Sequence, residues 1–85
     1  MNNHESKSLK RMRIELDITQ AELAKTIGYK NSQFISNLER GLCGLPLDAI
    51  SKIGSTYGYK FAKLLVNAKA KDFAVKTKKY LGGIK

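Results

Sequence analysis

Apolar residues recur at the helical period in five segments of this 85-residue chain, and no stretch reads convincingly as a half-buried strand with a period of two. The first helix is predicted from about Ser6 to Leu16, where Leu9, Met12 and Leu16 share a face and Asp17 ends the pattern. The second has the best-marked start. Thr19 stands three residues before Glu22, so its hydroxyl can accept from the amide of residue 22 while the carboxylate returns to the amide of residue 19. Ile18 ahead of the cap and Leu23 one turn in can close a hydrophobic staple. Leu23, Ala24 and Ile27 then form the buried stripe, and Gly28 stops the helix.

The third segment, YKNSQFISNLERG from Tyr29 to Gly41, has only Phe34, Ile35 and Leu38 to bury. With Ser32 at zero and about 100° per residue, Phe34, Leu38 and Ile35 fall near roughly 200°, 240° and 300°. Ser32, Ser36, Arg40, Gln33 and Asn37 fall near roughly 0°, 40°, 80°, 100° and 140°, a separate polar face. Glu39 lies on the border, roughly 40° from Ile35. Asn31 or Ser32 can cap the start, and Gly41 ends the helix.

Leu42 to Leu45 is a loop, and Pro46 suits the first turn of a fourth helix that buries Ile50, Ile53 and Tyr57 before Gly58. Gly54 inside it costs about 1 kcal/mol against Ala, which points to a close helix–helix approach. The fifth helix starts near Lys60, turns Phe61, Leu64, Leu65 and Ala68 inward, and continues through Phe73 toward Tyr80 until Gly82 and Gly83 stop it. One domain over residues 6–81 is expected, with a flexible start at 1–5 and a tail at 82–85.

Composition narrows the function. At 42% hydrophobic and 27% charged residues, the chain is an ordinary globular domain. No apolar run approaches the roughly 20 residues of a membrane span, and the first residues lack the apolar core of a secretory signal, so a cytoplasmic location is expected. One Cys, Cys43, and one His, His4, provide neither a zinc site nor a nucleophile–base pair. No metal, cofactor or enzymatic activity is expected, and Cys43 reads as a turn residue. The net charge of +9 points to a polyanion. Residues 58–85 hold eight Lys against one acid, Asp72, a net +7, on what is otherwise a solvated helix face and tail.

Two short helices joined across Gly28 to Asn31 make a helix-turn-helix pattern. The DNA major groove, about 12 Å wide, admits one helix, and the Ser, Gln and Asn side chains of the third segment are well suited to base edges, where Lys or Glu would give different chemistry. The stretch LKRMRIELDITQAELAKTIGYKNSQFISNLERG resembles the Cro/C1-type (XRE-like) helix-turn-helix family of phage and bacterial regulators. The matching positions are Arg13, Thr19-Gln20, Glu22-Leu23-Ala24, Gly28 and Glu39-Arg40-Gly41, and the likeness covers about residues 6–65. Family members often have one residue fewer before the position of Ile35, which places an extra residue in the turn at Tyr29, Lys30 and Asn31.

The resemblance implies an all-α, five-helix, lambda-repressor-like DNA-binding domain with its helix-turn-helix at about 19–41. It implies base contacts from Ser32, Gln33, Ser36 and Asn37, and phosphate contacts from Gln20 and Arg40. Tyr29, Lys30 and Asn31 reach the backbone from the turn on the same reading, and Arg13 pairs with Glu39 to lock the first helix to the third. Plainer roles stay open: a cap for Ser32, a merely solvated face for Gln33 and Asn37, helix-surface filling for Gln20, and a solvated cation near a helix C-terminus for Arg40. A single reading helix covers few base pairs, so a homodimer on a near-palindromic operator of phage, mobile-element or chromosomal origin is expected, acting as a repressor. Phe61, Leu64, Leu65 and Phe73 are the dimer candidates, with the Leu42–Leu45 loop beside them, and completing the core is the alternative role for most of the four. The competing expectations are an antitoxin or accessory protein that binds a toxin-like or other partner through Lys69 to Lys85, and sequence-neutral packing of nucleic acid.

Overall fold

The computed structural model describes the backbone of residues 3–82 and the side chains of residues 3–74. Five helices follow one another: α1 (His4–Glu15), α2 (Gln20–Thr26), α3 (Gln33–Glu39), α4 (Leu47–Tyr57) and α5 (Tyr59–Gly82), with no strand among the described residues. The all-α, five-helix class expected from the periodicity is the one observed. Helix α5 packs along α1 and α4, α3 sits between α1 and α2, and α2 also meets α4.

One core holds the bundle together. Leu9 and Met12 of α1, Leu23 of α2, Ile35 and Leu38 of α3, Leu45, Ile53 of α4 and Leu65 of α5 are all sealed from solvent. Truncating any of these large side chains to Ala removes about 2–5 kcal/mol. Gly54 stands where α4 and α5 touch: a Cβ added to it would lie 2.9 Å from the Ala62 Cβ. The close approach that the glycine signalled is therefore with α5.

Three helix ends share one device. Asp17, Gly28 and Gly41 adopt left-handed backbone, at φ 55°, 90° and 76°. The next amide reaches back five residues in each case: Ile18 to Arg13 O, Tyr29 to Ala24 O, and Leu42 to Asn37 O. These Schellman turns satisfy carbonyls that would otherwise be orphaned and set the angles at which α2, α3 and the loop before α4 leave.

The start of α1 departs from expectation. Residues 4 and 5, read from sequence as part of a flexible segment, belong to the helix, and Glu5 is buried. The cause is a set of partners that close all four exposed amides of the first turn. Asn3 Oδ1 accepts from Ser6 N at 2.7 Å and the Ser6 hydroxyl accepts from Asn3 N, which completes a capping box. Asp72, from α5, supplies the rest: Oδ1 accepts from His4 N and Oδ2 from Glu5 N, both at 2.9 Å. The Glu5 carboxylate accepts from Leu45 N at 2.7 Å, and Lys69 Nζ lies 3.0 Å from its other oxygen, an ion-pair contact without hydrogen-bond alignment. Lys69 and Asp72 are thus engaged at the start of α1. Residues 83–85 of the expected tail, and the side chains of Lys76, Lys78 and Lys79, lie outside the described residues.

Candidate nucleic-acid interface

The geometry of the site begins with α2. Thr19 Oγ1 accepts from Glu22 N at 3.0 Å, so the Thr half of the expected capping box forms, while the return bond from Glu22 does not. Ile18 and Leu23 pack into the same core, as a staple requires. After Gly28 the chain turns through Tyr29, Lys30 and Asn31, all exposed. The Tyr29 ring stacks on Phe34 with centroids 4.3 Å apart, which fastens the turn to the first turn of α3.

Asn31, not Ser32, caps α3. Its Oδ1 accepts from Gln33 N at 2.9 Å, whereas Ser32 occupies the cap position in helical backbone and makes no side-chain cap bond. The capping role left open for Ser32 therefore belongs to Asn31. Ile35 and Leu38 are buried and Phe34 half-buried, so the apolar stripe faces the core as its spacing predicts. On the other side Gln33 and Arg40 are exposed, and Ser32, Ser36 and Asn37 are half-buried.

These polar residues are linked. Asn37 Oδ1 accepts from Gln33 Nε2 at 3.1 Å and from Arg40 Nη2 at 2.7 Å. Spacings of four and three along a helix bring the three side chains onto one strip, a signal present in the sequence although the bonds themselves are not.

Behind the strip, Arg13 of α1 holds Glu39. Arg13 Nε lies 2.7 Å from Oε2 and Nη2 lies 3.2 Å from Oε1, while Nη1 donates to Ile18 O at 3.1 Å. The hydrogen bond and then the charge of Glu39 outweigh burial and raise the Arg13 guanidinium above its ordinary pKa. Gln20 joins from α2, its Nε2 donating to Glu39 Oε1 at 3.2 Å. No local pattern in the sequence encodes this bond; half-buried Gln20 ties α2 to α3 as well as standing at the start of its helix.

The dimer candidates separate into two groups. Phe61 and Leu65 are core residues, buried against α1 and α4, so they cannot form an outer surface. Leu45, in the loop expected beside them, is buried too. Leu64 and Phe73 are exposed but line different clefts: Leu64 faces Lys7, Lys10, Arg11 and Ile14 of α1, and Phe73 faces Leu42, Cys43 and Gly44. Burial and then the nearby Glu5 charge push the Cys43 thiol up, which keeps it protonated and weakly nucleophilic.

No helix of the described residues is long and apolar enough to cross a membrane. No curated protein and no solved structure matches the chain. The profile of a helix-turn-helix family matches residues 9–64, from the first buried leucine of α1 into α5. The span takes in the whole α2–turn–α3 unit and the Arg13–Glu39 pair that braces it. The chain belongs to that helix-turn-helix family, the Cro/C1 or XRE-like type, whose members are DNA-binding regulators.

Proposed function

We propose that the protein is a transcriptional repressor that binds a near-palindromic operator as a homodimer, with α3 in the major groove of each half-site. The observation that carries this reading is the outward strip of α3. Gln33, Asn37 and Arg40 are joined side chain to side chain on a helix fixed from behind by Arg13 and Glu39. A reading helix must hold its side chains in place before the bases arrive, and this one does so on a rigid element.

In this reading Gln33 and Asn37, with Ser32 and Ser36 beside them, meet base edges. Gln20, Tyr29, Lys30, Asn31 and Arg40 contact the phosphates that set register. A phosphate needs donors: Gln20 has one N–H of Nε2 on Glu39 and a second to offer, and Asn31 has its oxygen engaged and its NH2 group to offer. Leu42 and Phe73, 62% and 71% exposed on one cleft, are the apolar pair suited to a second copy. The reading gives the chain no catalytic role. An antitoxin-like or accessory role through residues 69–85 has less support, because Lys69 and Asp72 already serve the fold.

Light scattering with and without operator DNA, combined with competition by random duplex, tests the reading. A two-subunit mass on DNA and a preference of about 10³-fold or more for the operator at physiological salt are expected. A one-subunit mass in both states would remove the dimer, and equal affinity for random DNA would favour nucleic-acid packing.

A further inference from the structure

We infer that Asn37 reads the major groove as a hydrogen-bond donor only and so selects guanine or thymine, while Gln33 keeps the acceptor–donor pair that fits adenine. The inference rests on the DNA-reading role proposed for α3. Arg40 Nη2 lies 2.7 Å from one polar atom of the Asn37 side chain. A guanidinium has donors and no acceptor, so that atom must be the carbonyl oxygen and cannot be the amide nitrogen. The same oxygen lies 3.1 Å from Gln33 Nε2. Its two lone pairs are then both occupied.

What Asn37 has left is its NH2 group, with two donors and no acceptor. A base that faces it must offer acceptors. Guanine presents N7 and O6 side by side and thymine presents O4; adenine offers N7 but sets its N6–H2 donor beside it where guanine has an acceptor, and cytosine presents only the N4–H2 donor. A glutamine or asparagine with both ends available closes on adenine; the bond to Arg40 removes that option from Asn37. Gln33 has given up one of its two N–H groups and keeps Oε1 and the other, the pair that matches adenine N6 and N7. Four residues correspond to roughly 6 Å along the helix axis, so the two side chains fall on base pairs within about two steps of each other.

Selection of bound duplexes from a random pool, with the unmutated protein, Asn37→Ala and Asn37→Asp, tests the assignment. Asn37→Ala should relax one position, which the unmutated protein fills with guanine or thymine. Placing adenine there should weaken binding by the unmutated protein roughly tenfold or more, and should cost Asn37→Ala nothing. Asn37→Asp keeps an oxygen for Arg40 and Gln33 but puts an acceptor where the NH2 stood, so the position should turn to cytosine. Adenine at the Asn37-dependent position, no such position, or an unaltered preference in Asn37→Asp overturns the donor assignment and leaves the regulator reading standing. A pool in which the unmutated protein enriches no sequence overturns that reading, and the donor assignment with it.

Discussion

The Arg13 guanidinium grips both oxygens of the Glu39 carboxylate, at 2.7 and 3.2 Å, and so joins α1 to the last turn of α3. The two side chains are only 17% and 5% exposed. Removing one partner leaves the other desolvated and unmatched, which costs more than removing both. Arg13→Ala should lower the unfolding free energy by about 3 kcal/mol, whereas Arg13→Met with Glu39→Leu should recover a large part of that loss. Urea unfolding of the three proteins checks this. Equal losses in the single and double variants would mean that the pair contributes packing volume and little electrostatic matching.

Asp72 carries a pH dependence into the fold. Burial alone would raise its carboxyl, but the backbone N–H groups of Glu5 and His4, and then the His4 ring 2.8 Å away, outweigh it and hold the pKa below the ordinary 3.8. A carboxyl whose folded pKa is depressed stabilises the fold above its unfolded pKa, and that contribution disappears as pH falls through the folded value. Asp72→Ala should therefore cost about 1–2 kcal/mol at pH 7, the loss of a cap bonded to two amides. The gap between the two proteins should close as pH drops below about 4. Because the other acids titrate in both proteins, the gap is the quantity to follow. A gap that stays constant from pH 7 to pH 2.5 would show that Asp72 acts by shape and not by charge.

Gly54 makes the opposite of the usual helix prediction. In an exposed helix Gly→Ala gains about 1 kcal/mol. Here the new methyl would meet the Ala62 Cβ at 2.9 Å, an atom with no rotamer by which to retreat, so α4 and α5 must separate. Gly54→Ala should lose about 1–2 kcal/mol net. Adding Ala62→Gly makes room for it, and the double variant should be more stable than Gly54→Ala alone. Additive losses in thermal unfolding would exclude the contact as the cause.

The parts of this architecture that were legible in the sequence are those with local causes. Thr19 at the start of α2, Gly28 and Gly41 at the helix ends, and the Phe34, Ile35 and Leu38 stripe each act within one turn of their own position. The polar face of α3 was legible for the same reason, since it is what remains when the stripe is placed. The missed relationships join distant residues. Asp72 caps α1 from 67 and 68 residues away, and Glu5 meets Lys69 across a similar span. No periodicity encodes such a partner, and net charge groups Lys69 and Asp72 with a basic tail. Phe61 and Leu65 show a related limit: the spacing marks an apolar stripe on α5, but a core and a dimer surface ask for the same residue types.

Arg40 should show two separable effects on DNA binding. As a phosphate ligand it contributes to every duplex alike, so Arg40→Ala should weaken operator and random DNA by similar factors. It should also reduce the slope of log affinity against log salt by about 0.9. As the donor 2.7 Å from Asn37 Oδ1, it also determines what Asn37 can present. Its removal returns one lone pair to that oxygen and restores an acceptor beside the NH2, the combination adenine accepts. The discrimination between guanine and adenine at the Asn37-dependent position should therefore narrow in Arg40→Ala, beyond the uniform loss. Salt titrations on paired duplexes that differ at that one base separate the two effects. A changed slope with unchanged discrimination would assign Arg40 to the phosphates alone, and narrowed discrimination with an unchanged slope would assign it to the positioning of Asn37.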